Sequence, residues 1–443
     1  MTRQRLTGWG RTSATWADVH SPATEEAVLE ALATGPVIAR GLGRSYGDPA
    51  QLSGGVVLAN ESLGGISAIS DDGIVTVGAG VSIDDLVTLS IPQGWFVPVT
   101  PGTRQVSFGG AIAADVHGKN HHVDGSIGDH VLSMRICTPR GVFETSPTVY
   151  PDLFWATIGG MGLTGVVTSI TLRLLRIETD QVFVDTTRFS NLESVMTAML
   201  AGDDDYRYSV AWVDCMTKGA NMGRAILTRG DHATRAELPE ATLRAPTGAK
   251  LTIPFDAPSG LLNPFTIRVF NEGWFRIAPS HREHEAQPLG TFFHPLDGLN
   301  SWNRLYGRRG FVQYQFAVSD AHADVVVQAI QRLSSSGVPS FLAVLKRFGA
   351  ANNGPLSFPV SGWTLALDLP VGPGALPSLL DDLDEMVLAA EGRVYLAKDS
   401  RLRPEALRAM YPRLDEFIAV KNTYDPDHHL TSDLARRLNI GVH

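Results

Sequence analysis

The chain has 443 residues, 44% of them hydrophobic and 19% charged, with 44 glycines; that length exceeds one ordinary hydrophobic core, so two closely joined globular domains are expected. Its 37 basic and 46 acidic side chains give a net charge of −9, which argues against a protein that coats nucleic acid by neutralising phosphates. Cys137 and Cys215, each inside an apolar segment, form neither a disulfide framework nor a metal-ligand set, and no metal is expected.

The first ten residues lack the apolar core of a secretory signal, and no apolar run approaches the roughly 18 residues of a membrane span. The expected location is cytoplasmic, or peripheral at the inner membrane with the periplasmic side left open. Residues 21–36 read as a helix that Thr24 caps, with Glu25 and Glu26 in the first turn where the dipole favours acids. Val37-Ile38-Ala39 reads as a strand running into the glycine-rich stretch Gly41–Asp48, and Gly55–Ala59 and Gly73–Val77 as further short strands. Ser82 opens another helix. A second glycine stretch runs from Gly109 to His122 and a third from Gly159 to Gly165, with strands expected at His130–Cys137, Gly141–Thr145 and Gly165–Leu175.

Beyond about residue 178 the pattern changes to longer strands such as Tyr206–Val213 and amphipathic helices such as Ala323–Leu333, the signature of one antiparallel sheet with helices on one face. Residues 230–303 are rich in proline and charge and read as a mobile lid. A strand Arg393–Ala397 and a helix from about Pro404 to Val420 follow. The expected division is a cofactor domain of residues 1–178 with 395–443 and a substrate domain of 179–394.

Glycine lets backbone N–H groups close on a phosphate with no side chain between. Three such clusters so far apart in sequence suit one long cofactor, and a flavin dinucleotide fits. The spacing Gly41-x-Gly43-x-x-x-Gly47, with Pro49 where a helix should continue, does not match a nicotinamide fingerprint. Gln313 and Gln315 occupy alternate positions of an otherwise apolar strand, so their amides share one face.

Ala39–Asp48, Thr100–Thr103 and Phe108-Gly109-Gly110 resemble the FAD-binding domain of the vanillyl-alcohol-oxidase type of flavoenzymes. His117–His122, Gln313–Phe316 and Tyr395–Arg401 are similar, within that superfamily, to the decaprenylphosphoryl-β-D-ribose 2-oxidases, the flavin half of an arabinose-donor epimerase. The likeness implies an α+β, two-domain fold of the PCMH type with an antiparallel-sheet substrate domain. It implies FAD bound by Ala39, Arg40, Gly41, Leu42, Gly43, Arg44, Ser45, Tyr46, Gly47 and Asp48, by Gly102, Ser107, Gly109, Gly110, Ala114 and His117, and by Gly162, Gly165, Val167 and Tyr395. Covalent members often carry a histidine where this chain has Arg44, so the flavin is expected to be non-covalent.

The same likeness makes Lys398, His117 and Gln315 the catalytic candidates, and Gln313, Gln315, Lys346, Lys119, Tyr46 and Lys398 the substrate contacts. It implies oxidation of the C2 hydroxyl of a polyprenylphosphoryl-β-D-ribose to a ketone, the first half of epimerisation toward a cell-wall arabinan donor. An NAD(P)H-dependent keto-ribose reductase would take the product, and a quinone or another acceptor the electrons. Ala366 and Thr364 stand where mycobacterial members carry a cysteine that traps nitroaromatic inhibitors and an asparagine, which implies no covalent capture here. An alditol, sugar or aldonolactone oxidase of the same superfamily is the alternative.

Overall fold

The computed structural model describes residues 2–249, 251–258, 260–372 and 374–441; Met1, Lys250, Ser259, Pro373, Val442 and His443, which the expected domain ranges include, lie outside the described residues. Two four-stranded sheets carry the N-terminal part. In the first, Thr2–Thr7 pairs with Ala14–His20, which runs parallel to Val56–Ala59, itself parallel to Val37–Arg40. The second is antiparallel, in the order Ile74–Gly78, Val166–Arg173, Val131–Thr138, Gly141–Thr145. The Thr24 cap forms, its side chain accepting from the Ala27 N–H, and the helix it opens is shorter than the expected stretch, Glu25–Leu32. Ser82 caps Ile83–Ser90 in a reciprocal box with Asp85.

The remaining large element is one eight-stranded sheet in the order His281–Pro288, Gln181–Phe189, Ala225–His232, Tyr208–Val213, Ala343–Phe348, Gly362–Pro370, Phe311–Ser319, Arg393–Val394. All its pairings are antiparallel. The helices Asp324–Ser336 and Leu376–Ala389 bury apolar stripes that include Val326, Ile330, Leu333, Leu380, Leu383 and Val387. The fold is therefore α+β.

Four expectations need correction. Residues 230–303 are not one excursion: His281–Pro288 is the edge strand of the large sheet and Pro264–Ile277 is a 14-residue helix. The charged run His-Arg-Glu-His-Glu conceals a strand because an edge strand is wet and has no apolar alternation to display. The strand at Arg393 stops after Val394, where the Tyr395 N–H still reaches Gln315 O before the chain turns. The C-terminal helix is two, Pro404–Met410 and Leu414–Tyr424. Gly109 and Gly110 lie in a short helix, Phe108–Ala113, rather than a loop; Ser107 is its N-cap.

Candidate active site

A cavity of about 640 Å³ lies between the N-terminal sheets and the large sheet, within the roughly 300–1,000 Å³ span of ligand pockets. One wall is mostly backbone. Gly41, Leu42 and Gly43 face Gly102, Ser107, Gly109 and Gly110, with Gly162, Gly165 and Val167 completing that side. Gly41 and Ser107 touch so closely that a Cβ on Gly41 would lie 2.0 Å from Ser107 Oγ, whereas a Cβ on Gly102 would meet nothing within 4 Å. Gly162 adopts φ +78° with only Ile38 near its missing Cβ, so a side chain there would be strained and would project toward the cavity.

The opposite wall is the large sheet, and strand register decides which side chains it offers. Gln315 pairs with Ala366, which pairs with Val344, which pairs with Trp212, and all four line the cavity. Two residues along, Gln313 pairs with Asp368. The Gln315 amide N–H₂ donates to His117 Nε2 at 3.0 Å and to Thr364 Oγ1 at 2.9 Å, while the Thr364 hydroxyl donates to Phe316 O. That leaves the Gln315 carbonyl oxygen buried without a partner. Gln313 donates to Asp368, which also accepts from the Tyr306 hydroxyl at 3.0 Å.

Three lysines point at the same space. Lys119 donates to Phe292 O at 2.5 Å and Lys346 to Gly118 O at 3.2 Å. Burial pulls the Lys119 ammonium down to about 7; burial, then the charges of Lys398 and Lys119, does the same to Lys346. Lys398 has no hydrogen-bond partner among the described residues; its ammonium lies 5.7 Å from the Tyr46 ring centre and 6.0 Å from that of Tyr395. Burial lowers its pKa, and the Asp368 carboxylate opposes that shift. His117 is held neutral by burial, then by Lys346 and Lys398. Its ring meets those of Phe348, Phe358 and Tyr395, and its Nδ1 is unpartnered.

Lys398 sits in a turn, its N–H bonded to Tyr395 O, and the first glycine loop braces that turn. The Tyr46 N–H donates to Ala397 O, Arg437 pairs with both Asp48 and Asp399, and a Cβ on Gly47 would lie 1.8 Å from Asp399 O. Arg40, Gly47 and Asp48, expected as cofactor contacts, are engaged by protein groups in this structure. None lines the cavity, and the Arg40 guanidinium is taken up by Thr7 O and Ala50 O. Every other expected site residue does line it: Ala39, Gly41–Tyr46, Gly102, Ser107, Gly109, Gly110, Ala114, His117, Lys119, Gly162, Gly165, Val167, Gln313, Gln315, Lys346, Tyr395 and Lys398. Arg44 does so with its guanidinium 4.3 Å from the Trp9 ring centre.

The sequence reading missed Trp9, Asn60, Trp212, Phe270, Trp274 and Trp302 in the lining. They are lone side chains on distant elements, with no motif to announce them. The cavity fits FAD on its own terms. Its backbone wall admits a diphosphate, and Asn60 Oδ1, His117 Nδ1, Gln313 Oε1 and Gln315 Oε1 are buried polar atoms at the lining that lack a partner. The described residues contain no cluster able to hold a metal ion.

Comparison with known proteins agrees. Residues 17–146 match the family described as FAD binding domain, and residues 377–438 the family described as D-arabinono-1,4-lactone oxidase. The chain is 43% identical over 99% of its length to the decaprenylphosphoryl-beta-D-ribose oxidase of Mycolicibacterium smegmatis, covering 98% of that protein. It is 39% identical, over 81% of its length, to an uncharacterized Streptomyces coelicolor protein that it covers completely. Similarity to rice L-galactono-1,4-lactone dehydrogenase 1 is 33% over 27% of the chain and 20% of that enzyme.

Proposed function

This chain belongs to the family of decaprenylphosphoryl-beta-D-ribose oxidase and is an FAD-dependent oxidoreductase; from that premise we propose that it oxidises the C2 hydroxyl of a polyprenylphosphoryl-β-D-ribose to the 2-keto sugar. The observation that carries this reading is the convergence of three half-buried lysines and two buried glutamines on a cavity whose other wall is glycine backbone. FAD, when bound, supplies the acceptor for the hydride that leaves C2. Gly41, Gly102, Ser107, Gly110 and Gly162 would hold its diphosphate side, with Ala39, Leu42, Gly43, Arg44, Ser45, Tyr46, Gly109, Ala114, His117, Gly165, Val167 and Tyr395 around the rest. It is held without a covalent bond.

Lys398 takes the C2 hydroxyl proton. Burial favours its neutral amine, the state able to accept, and the absence of a competing hydrogen bond among the described residues leaves its lone pair to the substrate. Gln315, its amide fixed by His117 and Thr364, presents a carbonyl oxygen to a sugar hydroxyl, and Gln313 and Tyr46 bound the same sugar. Neutral His117 is a donor through Nδ1, because its Nε2 already accepts. Lys346 and Lys119 bind the phosphate, whose negative charge restores theirs. Residues 1–178 with 395–443 serve the cofactor and 179–394 the substrate, and within 230–303 Phe270, Trp274 and Trp302 form the lid.

The keto sugar calls for an NAD(P)H-dependent reductase to return it with inverted configuration, and a quinone or another oxidant re-oxidises the flavin. Anaerobic mixing with farnesylphosphoryl-β-D-ribose should bleach the flavin absorbance in a single turnover; an unbleached flavin would remove the substrate assignment. The lactone-oxidase signature at residues 377–438 favours a second reading, which predicts bleaching by an aldonolactone or alditol instead. No helix among the described residues is long and apolar enough to cross a membrane, and the reading places the enzyme in the cytoplasm or at the periphery of the inner membrane.

A further inference from the structure

The helix Pro264–Ile277 is amphipathic the wrong way round. Ile267 and Asn271 face the protein, 2% and 0% exposed, while the outward arc carries Phe265, Val269, Phe270, Trp274 and Ile277, with Phe265 73% and Ile277 83% exposed. An apolar arc of that breadth facing water is rare on a soluble domain and marks a surface that meets another phase or another molecule. At about 100° per residue these five side chains span half the helix circumference, and Arg268, Glu272 and Arg276 border one edge. Leu261, exposed in the approach to the helix, extends the patch.

We propose that this face docks on a lipid bilayer bearing anionic headgroups, lying in the interface with its aromatic arc buried and its arginines among the phosphates. Two features select a bilayer over a protein partner. The first is charge. Glu272 is already held by Arg224 at 2.6 Å and by Arg276, so Arg268 meets incoming phosphates as an exposed cation. In the adjoining loop Asp256 pairs with Arg11 at 2.6 Å and feels the charges of Arg304 and Arg308, beside Phe255, which is 72% exposed. A chain of net charge −9 thus shows a locally basic, apolar face, which orients it toward an anionic surface that repels the rest. Interfacial helices carry this combination of Trp and Phe on one face with Arg at its border.

The second feature is continuity. Phe270 and Trp274 belong both to the exposed arc and to the lining of the cavity, so the docked face opens directly on the site. This rests on the lipid-phosphate substrate proposed above: a prenyl chain could pass from the bilayer along Trp274 and Phe270 while its phosphate travels toward Lys346 and Lys119. The enzyme would then draw its substrate from the membrane without releasing it into water.

The test separates docking from catalysis. The flavin-loaded protein is sedimented with vesicles of phosphatidylcholine alone or with phosphatidylglycerol added, alongside the triple variant Phe265→Ser/Val269→Ser/Ile277→Ser, whose three positions lie outside the cavity lining. Wild type should pellet with the anionic vesicles and less with neutral ones, and the variant's bound-to-free ratio should fall by about tenfold or more. A wild type left in the supernatant with both vesicles, or a variant that binds as well as wild type, overturns the proposal. So does size-exclusion showing a wild-type dimer that the variant dissolves, since the face would then join two copies of this chain. Flavin bleaching by water-soluble farnesylphosphoryl-β-D-ribose should be equal in both proteins; its absence from both would defeat the substrate reading and leave the vesicle result standing by itself.

Discussion

The two walls of the cavity are built on opposite principles. The cofactor wall works by omission: Gly41, Gly102 and Gly162 bring bare backbone to the lining, and Gly41 has no room for a methyl. The sheet wall works by addition, with Gln313, Gln315 and Lys346 each presenting a functional group at a register-determined position and Lys398 joining them from the turn after the last strand. The cofactor side should therefore be sensitive to volume and indifferent to charge, and the sheet side the reverse. Lys398→Ala is the severest test of the second half: flavin content unchanged, and the rate of flavin reduction by substrate down about 10²–10⁴-fold, the usual scale for loss of a general base. An unaltered rate would remove Lys398 from the chemistry.

Gly41→Val addresses the other wall. Its Cβ would sit against Ser107 Oγ, which also caps the helix Phe108–Ala113, so both glycine segments must separate, at a cost of about 1–3 kcal/mol. The purified variant should be largely colourless, with a lowered Tm and every sheet-side residue intact. Full flavin occupancy would show that this wall is less tightly specified than its spacing indicates.

What the sequence disclosed follows the same division. Glycine clusters are readable because their spacing and their departure from side-chain-bearing residues are visible in one dimension, and Gln313 and Gln315 because a period of two places them on one face. That Arg40, Gly47 and Asp48 stand off the cavity lining was hidden for the opposite reason. They stand within the most informative motif, yet their partners, Thr7, Asp399 and Arg437, are remote in sequence. The strand Thr2–Thr7 has exposed and half-buried positions only and so gives no alternation to read. Trp9, Trp212 and Trp302 join one cavity from three separate elements, a convergence that local pattern does not encode.

The sheet wall can be sharpened by charge. Lys346 and Lys119 are lowered to about 7 in the folded protein, from about 10.4 in an unfolded chain. Between those values the unfolded chain binds more protons, so in the absence of a bound anion stability rises with pH across about 7 to 10. Lys346→Met should accordingly raise the Tm of the substrate-free enzyme at pH 7 while weakening substrate binding about tenfold to a hundredfold, the scale of a lost charge-assisted bond. In the wild type, KM should increase as pH rises through 7. A Lys346→Met enzyme with an unchanged KM would detach that lysine from the phosphate.

Asp368 offers a finer effect. Fully buried and bonded to Gln313 and Tyr306, it holds the Lys398 pKa up against desolvation. If the neutral amine is the base, kcat climbs with pH through the Lys398 pKa, and Asp368→Asn moves that ascending limb to lower pH with FAD still bound. A limb that moves to higher pH, or a descending one, would make the lysine an electrostatic anchor instead of a proton acceptor.

The smallest expected change is also the cleanest probe of the sheet wall. Ala366 lies between Gln315 and Val344 in the strand register and lines the cavity, so one added sulfur would project into open space instead of into packed core. Ala366→Cys should keep turnover within about twofold of wild type, since the swap adds volume only where the cavity already has room. The parent protein should resist a small thiol reagent. Both its cysteines are fully buried, Cys137 with its thiol pushed up to about 12 and Cys215 raised by burial as well, so neither supplies the reactive thiolate. Mass spectrometry should then find one adduct on Ala366→Cys and none on the parent, with substrate protecting the new thiol. An adduct that substrate does not protect would mean that the sugar does not rest over this register row, and the roles given to Gln315 and Lys398 would have to be reassigned together.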